Sequence, residues 1–289
     1  MGLFRQQLHD IVTRQLNRAE AGDLVVCILG GEAIYRAVED RHFHPTPELF
    51  IQVAGTSRMD AVQKTSRSDE GDVLIVPKGV PHREWVDLPG APFRNVVVAF
   101  GRRTLLIHEA REGATGNPMI FALEQFISED VGRLCGCLDM AAEWCQRDPG
   151  LRESATRGLM IAFFSLLLDN IQSTTMHQRD ESFKVAQCRR MVSEHLTNPE
   201  LNVQWLAARI ACAPDYLSHL FRQETGDKLT QYINDKRIAF ACLLLDDSSL
   251  NIAQVAYACG YRDPGYMTRQ FQRREGCTPR VYRKGVRSP

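Results

Sequence analysis

The chain carries one sequence pattern twice: LNVQWLA at residues 201–207 returns as LNIAQVA at residues 250–256, an offset of 49 positions. A second pair of segments follows these, PDYL at residues 214–217 and PGYM at residues 264–267, at an offset of 50. The difference predicts one inserted residue in the turn of the second copy. Two short helices joined by a turn and repeated in tandem are typical of a DNA reader built from helix-turn-helix units.

Each copy has the pattern of one helix that is buried on one face and a second helix that presents a face to solvent. The first helices carry apolar residues at i, i+3, i+4 and i+7: Val203, Leu206, Ala207 and Ile210, then Ile252, Val255, Ala256 and Cys259. Asn202 and Asn251 stand at the predicted N-caps. In the second helices we expect these residues to be buried: Leu217, Leu220, Phe221, Met267 and Phe271. The outward positions are candidates for groove contacts: Asp215, Ser218, His219, Arg222, Gly265, Thr268, Arg269 and Gln272.

Charge is distributed unevenly along the chain. From residue 181 onward there are 16 Lys/Arg and 11 Asp/Glu, a net of +5, and the preceding part carries −5. Arg262 and Arg273 belong to a group of cations around the second copy that suits phosphate contacts. The alternative is an all-helical protein-binding domain with a solvated basic face.

Length and composition limit the architecture and the compartment. A chain of 289 residues with 44% hydrophobic and 24% charged residues predicts two folded domains. Nine cysteines without paired spacing, and no signal-peptide core at residues 1–5, favour reduced thiols in a cytoplasmic protein. The longest apolar run is far shorter than the ~20 residues that cross a bilayer, so we expect no membrane span.

The pattern of hydrophobic residues predicts an α+β protein of two domains. Residues 1–120 begin with an amphipathic helix and continue with short apolar runs at residues 24–29, 49–53, 73–76 and 95–100, typical of a β domain. Residues 121–172 are predicted to form a helical hairpin, with helices over 121–144 and 151–171. Its apolar face suggests dimerisation: Leu159, Ala162, Phe163, Leu166 and Leu167. Residues 173–182 are the linker, and residues 183–289 form an all-α domain with two helix-turn-helix units.

The C-terminal residues resemble the DNA-binding domain of the AraC/XylS family of transcription regulators over residues 183–284. The strongest matches are IAQVA at 252–256, CGY at 259–261, YMTRQF at 266–271 and GCTPRVYR at 276–283. The resemblance implies that the two second helices enter successive major grooves on one face of the DNA. It places base contacts at Asp215, Ser218, His219, Gly265, Thr268 and Arg269.

Two motifs in the N-terminal domain combine histidine, carboxylate and glycine: HFH at residues 42–44 with Glu48 and Gly55, and then Gly71, Pro77, Gly79 and His82. Their spacings are those of the first and second cupin motifs. The domain therefore resembles the cupin fold, which AraC-type regulators commonly carry as a small β-barrel. The ligand set of metal-dependent cupins is thus present: His42, His44, Glu48 and His82. One divalent ion (Zn, Fe, Ni or Mn) is one interpretation. The alternative is a polar pocket that binds an organic effector without metal. Tyr35, Arg36, Glu84 and Trp85 are candidate pocket residues.

The sequence therefore predicts a sequence-specific DNA-binding transcription regulator, rather than an enzyme, whose cupin domain senses a small molecule or a metal. Its expected partners are a double-stranded DNA operator, a small-molecule effector, RNA polymerase and a second copy of the chain. The alternative function is a metal-dependent cupin enzyme, of dioxygenase or isomerase type, fused to a DNA-binding module. Effector-dependent operator affinity without turnover would distinguish the regulator from the enzyme.

Overall fold

A computed structural model describes residues 3–30, 41–44, 46–62, 64–86, 92–101, 104–112, 118–145, 147, 149–173, 183–247 and 250–286. The chain divides into two compact units. The first, here the β unit, comprises Met1–Ile34 and Thr46–His177, and the second, here the helical unit, comprises Tyr35–Pro45 and Gln178–Pro289. Of the described residues, 41–44 therefore group with the C-terminal helices, although the sequence assigned them to the N-terminal domain.

The β unit opens with a helix, continues through strands and closes with two helices. Its elements are α1 (Leu3–Ala21), β1 (Val26–Ile28), β2 (Glu48–Ala54), β3 (Ser57–Ala61), β4 (Thr65–Ser68), β5 (Val73–Val76), β6 (His82–Val86), β7 (Arg94–Phe100), β8 (Thr104–Glu112), β9 (Pro118–Ile127), α2 (Val131–Trp144) and α3 (Pro149–Ser173). The described strands form a six-stranded sheet in the order β1-β5-β2-β7-β8-β9 and a three-stranded sheet in the order β4-β3-β6. Pairing is antiparallel except between β1 and β5. The predicted β-rich N-terminal domain is confirmed.

The six-stranded sheet packs helices on one face and the small sheet on the other. Side chains alternate between the faces of a strand. On β2, Leu49 and Ile51 join the core that includes Leu8 of α1 and Phe163 of α3. On β5, Val73 and Ile75 belong to the same core, whereas Leu74 between them packs in a cluster with Met59 and Ala61 of β3. The inner face, defined as the sides of the two sheets that face each other, is therefore also where Glu48, Gln52 and Asn95 point.

Helices α1 and α3 are joined by an arginine at each end. Arg5 of α1 donates from Nε to the carbonyl oxygen of Ile171 at 2.9 Å, and Arg157 of α3 donates from Nε to that of Ala19 at 3.0 Å. The last carbonyls of a helix have no partner within the helix, so each arginine satisfies a group at the C-terminal end of the other helix. This reciprocal clamp fixes the two helices against each other at both ends.

The prediction of a helix beginning at Phe121 is wrong, because residues 118–127 form β9. Its residues pair with β8 in register from Pro118 opposite Glu112 to Ile127 opposite Thr104, with one irregularity. Ile120 and Phe126 are buried while Phe121 and Ile127 are exposed. The helical hairpin therefore begins at Val131.

The apolar face expected to support dimerisation lies largely inside the β unit. Phe163 and Leu167 are fully buried, and both belong to the core shared with α1 and the sheet. Leu159 and Leu166 are partly buried against the same core. Among the described residues of the hairpin, the large hydrophobic side chains left exposed are Met140 and Leu151.

The helical unit consists of α4 (Phe183–Glu194), α5 (Val203–Arg209), α6 (Pro214–Thr225), α7 (Leu229–Asp247), α8 (Ile252–Ala258), α9 (Pro264–Glu275) and α10 (Pro279–Val286). Its core joins both predicted helix pairs around α7 and also includes Phe43, which is 2% exposed and whose ring centroid lies 5.4 Å from that of Phe240. Across the described residues, no helix has the length and apolarity needed to span a bilayer.

Candidate functional site

The first helices of the two repeats begin at the predicted residues. Asn202 accepts a hydrogen bond at Oδ1 from the Trp205 amide at 2.8 Å, and Asn251 accepts one from the Gln254 amide at 2.9 Å. The Gln254 side chain accepts in return from the Asn251 amide at 2.8 Å, which completes a capping box. Both predicted N-caps are confirmed, because each side chain satisfies an amide that has no partner within the helix.

The turns after these helices have the same shape in both copies. Ala211 and Gly260 adopt positive φ of 54° and 76°. The next residues, Cys212 and Tyr261, each donate their amide to the carbonyl five positions back, at 3.0 Å in both cases. This is the Schellman arrangement that ends a helix. The second turn then contains one additional residue before its next helix, Arg262.

The second helices, α6 and α9, use equivalent anchors. Leu217 and Phe221 in α6 are fully buried, as are Met267 and Phe271 in α9. Both helices have proline in the first turn and end in a left-handed glycine. Each is therefore held by an apolar pair at i and i+4, and the opposite side faces solvent.

The predicted groove-facing residues all lie outside the core. Six of them are exposed: Asp215, His219, Arg222, Gly265, Arg269 and Gln272. Ser218 and Thr268 are half-buried, and the Thr268 hydroxyl donates to the carbonyl of Pro264 at 2.9 Å. Their contacts with DNA stay predictions, but their position on the solvent side of α6 and α9 is compatible with them.

Two exposed tyrosines at corresponding positions were not among the sequence-based candidates. Tyr216 is 48% exposed in α6, and Tyr266 is 40% exposed in α9. The Lys184 ammonium lies 5.1 Å from the Tyr216 ring, and the Arg269 guanidinium lies 5.9 Å from the Tyr266 ring. Recurrence of tyrosine at one repeat position was the sequence signal that could have identified them.

The two arginines predicted to contact phosphate have different surroundings. Arg262, the additional residue of the second turn, forms an ion pair with Glu200, which precedes α5. Arg273 is exposed near the C-terminal end of α9. An exposed ion pair contributes about 0–1 kcal/mol and exchanges readily, so the pair with Glu200 is compatible with a phosphate contact at Arg262.

Arg237 joins α7 to the end of α4 and to the second turn. It donates from Nε to the Leu196 carbonyl at 3.1 Å and from Nη2 to the Asn198 carbonyl at 2.7 Å. Its guanidinium lies 5.4 Å from the Tyr261 ring centroid. Burial lowers the pKa of Arg237 and raises the pKa of Tyr261. We call this contact set, formed by Arg237, Tyr261 and residues 196–198, the joint. It connects the second helix-turn-helix unit to the rest of the helical unit.

Within the β unit, two of the predicted metal ligands meet. His82 Nε2 lies 3.5 Å from Glu48 Oε2, and the two side chains are 1% and 8% exposed. His82 Nδ1 lies 2.9 Å from the Val80 carbonyl, which can only accept, so Nδ1 carries the proton. When the ring is neutral, Nε2 therefore presents a lone pair, and a hydrogen bond at the other nitrogen is the usual setting of a metal-binding histidine.

The other two predicted ligands, His42 and His44, belong to the residues that group with the helical unit. Their ring centroids are 5.0 Å apart in an edge-on arrangement. His44 is buried and His42 is half-buried. Imidazole nitrogen and carboxylate oxygen form a donor set that suits zinc, iron, nickel or manganese. The four-ligand set stays a prediction.

The candidates for the effector pocket fall in three different places. Tyr35 and Arg36 lie outside the described residues. Glu84 is on the face of β6 that also carries His82, and its Oε1 accepts from Nδ2 of Asn95. Trp85 is on the opposite face, 39% exposed, with the Arg83 guanidinium 3.5 Å from its ring centroid. This placement separates Trp85 from the inner face.

The inner face contains further buried polar side chains that the sequence did not identify. Ser57 donates from its hydroxyl to Gln52 Oε1 at 2.9 Å, and Asn95 is fully buried. His108 is 6% exposed on β8, where it pairs in register with Val97 of β7. The sequence pattern indicates these residues only weakly, because isolated polar residues in short apolar strands do not reveal which face of the sheet they occupy.

Comparison with known proteins agrees with this two-part arrangement. Residues 25–143 match the family described as an AraC-like ligand binding domain, and residues 206–285 match a helix-turn-helix domain. The arabinose operon regulatory protein of Salmonella typhimurium is 32% identical over 217 residues, covering 74% of this chain and 75% of that protein. The HTH-type transcriptional activator RhaR of Cronobacter sakazakii is 40% identical over 83 residues, 29% of each chain.

Among solved structures, the C-terminal domain of AraT, a response regulator from Geobacillus stearothermophilus, is 27% identical with a TM-score of 0.36, covering 36% of this chain and 87% of that one. The fold and the matches define a DNA-binding transcription regulator with an N-terminal ligand-binding domain. The chain belongs to the AraC family, as the sequence resemblance implied. The alternative of a cupin enzyme with a DNA-binding module receives no support from its relatives.

Proposed function

We propose that this regulator is a one-component sensor in which an effector bound by the β unit changes the operator affinity of the helical unit. The observation that carries the DNA-binding part is the equivalence of α6 and α9. Both follow the same kind of turn, both are anchored by a buried pair at i and i+4, and both present a polar face to solvent. Two such helices joined by α7 fit two recognition segments on one duplex.

The base-contacting residues that we propose are those on the solvent-exposed faces of α6 and α9. In α6 they are Asp215, Ser218, His219 and Arg222, and in α9 they are Gly265, Thr268, Arg269 and Gln272. Arginine suits guanine and glutamine suits adenine, because each offers a bidentate match to one base edge in the major groove. Arg262 and Arg273 are proposed to contact phosphate, which positions the protein without selecting sequence.

The effector site that we propose is on the inner face of the β unit. Gln52, Glu84, Asn95 and His108 provide amide, carboxylate and imidazole groups among apolar strands, a composition that orients a small polar ligand. Binding alters operator affinity only if the ligand binds the two functional states unequally. We propose no turnover: the chain senses its ligand and does not transform it.

A divalent metal ion is proposed as a component of the sensor. What supports it is the buried His82 and Glu48 pair, together with the proton that Val80 holds on Nδ1 of His82. With His42 and His44 as the remaining ligands, the ion would supply a Lewis-acidic centre for a chelating effector.

A homodimer is proposed through the α2 and α3 hairpin, at the exposed Met140 and Leu151. Substitution of both by glutamate should shift sedimentation toward the monomer, while glutamate at Leu3, which is 80% exposed on α1, should leave it unchanged. A dimer that survives the double substitution would place the interface elsewhere. We propose RNA polymerase as a further partner, to be tested by run-off transcription. We also propose a cytoplasmic location, which the proposed DNA target supports.

The experiment that tests the DNA-binding proposal is selection of duplexes from a randomised library by the full chain. We expect one enriched sequence with two elements about 34 Å apart, which is one turn of DNA. Arg222→Ala should weaken preference in one element and Arg269→Ala in the other. Arg133→Ala, at an exposed side chain of α2 in the β unit, is the matched control. An unenriched library, or equal loss of preference in both elements from each substitution, would contradict the proposal.

Effector binding is tested separately, by thermal denaturation of the full chain with panels of metabolites and metals. A ligand that binds only the folded state raises its stability by mass action. Asn95→Ala should abolish the shift produced by a ligand of the inner face, whereas Trp85→Phe, on the opposite face of β6, should preserve it. The reverse result would move the site away from the inner face.

A further inference from the structure

Asp263 has two separate interactions at the start of the second reading helix. Its carboxylate accepts hydrogen bonds from the amides of Gly265 at 2.8 Å and Tyr266 at 3.1 Å, which caps α9. The same carboxylate lies 3.6 Å from Nη2 of Arg269, a predicted base-contacting residue. The helix cap is therefore also a contact of the arginine that the helix presents.

Gly265 lies beneath this carboxylate and guanidinium and provides the space for them. A Cβ atom at position 265 would stand 3.1 Å from Oδ1 of Asp263 and 3.5 Å from Nη1 of Arg269. The first of these is tighter than ordinary van der Waals contact, so a side chain here would push the carboxylate or the guanidinium away. The residue predicted to touch a base thus has a structural reason to lack a side chain.

The first reading helix has a different arrangement at the corresponding positions. At the offset of 50 residues, Ala213, Asp215 and His219 stand where the second copy has Asp263, Gly265 and Arg269. Ala213 provides no side-chain cap for α6. Of these two helices, only α9 therefore combines a capping aspartate, a glycine that leaves space for it and an arginine beside it.

We propose that Asp263 is a positioning residue that sets the base specificity of Arg269, with Gly265 giving the space that the pair needs. An arginine held at its guanidinium presents its paired donors in a fixed orientation, and the O6 and N7 atoms of guanine accept such a pair. The partner is therefore a guanine in the operator half read by α9. This inference rests on the proposed base contact of Arg269.

Asp263 also carries a negative charge near the phosphates of a bound duplex. Its presence weakens sequence-independent attraction while it restrains the arginine. Loss of that charge should therefore lower discrimination and raise affinity for unrelated DNA. A residue that only caps the helix would leave the discrimination between bases unchanged when replaced by another good cap.

The test uses the full chain and the duplex that it selects from a randomised library. Arg269→Ala first identifies the base pair at which preference is lost. Asp263→Asn is then compared with wild type, because asparagine caps a helix as well as aspartate does and leaves stability unchanged. We expect Asp263→Asn to reduce the affinity ratio between the selected and the base-substituted duplex about fivefold at that pair, within the range of one bidentate contact.

Two further variants complete the test. Gly265→Ala should reduce the same ratio. Because alanine suits a helix better than glycine, this gain should offset the weakened cap and keep the melting temperature near that of the wild type. Asp227→Asn removes an exposed acid that follows α6 and should leave that ratio unchanged. If Arg269→Ala removes the preference but Asp263→Asn retains it, Asp263 is only a cap and the inference fails. If Arg269→Ala changes no base preference, the proposed base contact itself fails.

Discussion

Ala211 and Gly260 occupy the same place in the two turns and share a left-handed backbone, at φ of 54° and 76°. Within the described part of the chain, Ala211 is the one non-glycine residue with positive φ. This conformation brings the Cβ of an L-amino acid too close to the following carbonyl, at a cost of roughly 1–2 kcal/mol. The first turn therefore keeps its shape at a cost in folding free energy, which the second turn avoids because it has glycine at this position.

Ala211→Gly should stabilise the helical unit by about 1 kcal/mol, because glycine adopts the same φ without that contact and regains only part of the difference as unfolded-state freedom. The measurement is hydrogen exchange of the slowest amides in α7. Ala208→Gly, at an exposed position in the last turn of α5, is the matched control and should destabilise by about 1 kcal/mol. Equal destabilisation by both changes would show that the turn is not strained.

Gly260→Ala should have the opposite effect, larger than conformation alone explains. A Cβ at this position would stand 2.7 Å from the Leu196 carbonyl oxygen and 2.9 Å from the Thr197 carbonyl carbon, both of them backbone atoms. We expect a loss of at least about 2 kcal/mol in unfolding free energy and weaker operator binding, since the joint must open. Gly226→Ala is the control, because at φ 84° nothing lies within 4 Å of its added Cβ. Equal losses in the two variants would mean that position 260 is limited by conformation alone.

Insertion of one glycine after Ala241 in α7 should weaken specific operator binding and largely preserve nonspecific binding. One extra residue rotates the following helix by about 100° and advances it by about 1.5 Å, which misaligns the readers while the phosphate-contacting cations remain. Gel-shift titration against the selected duplex and an unrelated duplex measures both quantities. The same insertion after Lys284, beyond the readers, should change neither. Unchanged affinity for the selected duplex would argue against rigid spacing through α7.

Protein purified without added metal should contain about one divalent ion per chain by elemental analysis if the cupin ligand set is occupied. His42→Ala/His44→Ala should remove it, and His82→Ala should do so independently. His9→Ala, at a half-buried position of α1 outside the proposed ligand set, is the control. Equal and negligible metal in wild type and variants removes the metal proposal and leaves the inner face as a site for an organic effector alone.

Phe43→Ala should destabilise the helical unit, although Phe43 is remote from it in sequence. Truncation of a buried phenylalanine costs about 3–5 kcal/mol. Hydrogen exchange in α7, which carries Phe240, is expected to accelerate accordingly. Phe121→Ala, at a side chain that is 59% exposed, should leave α7 unaffected. Unchanged exchange after Phe43→Ala would separate residues 41–44 from the core of this unit.

The helical unit was predicted well from the sequence because short-range sequence patterns determine its helices and turns. The caps at Asn202 and Asn251, the anchors at Phe221 and Phe271, and the inserted residue in the second turn all follow from short-range patterns that repeat. Repetition makes each copy a check on the other. The four strands that carry continuous apolar runs were also predicted, because such runs are bounded by glycine, proline or aspartate.

The missed features depend on long-range contacts. Residues 118–127 contain good helix formers such as Ala122, Leu123 and Glu124, and only pairing with β8 makes them a strand. Burial of Phe163 inside the unit depends on α1, which is distant in sequence. The contact between Asp263 and Arg269 depends on the absence of a side chain at Gly265. The sequence distance between these residues does not indicate that their side chains meet.

The reciprocal clamp between α1 and α3 has a practical consequence for anyone who shortens or tags this protein. Because Arg5 and Arg157 tie α1 to α3, the N-terminal helix supports the last helix of the β unit. Deletion of α1 would uncover Phe163 and remove both arginine contacts between α1 and α3 at once. Signal transmission could then fail in a protein whose ligand pocket and operator-binding helices are both chemically intact.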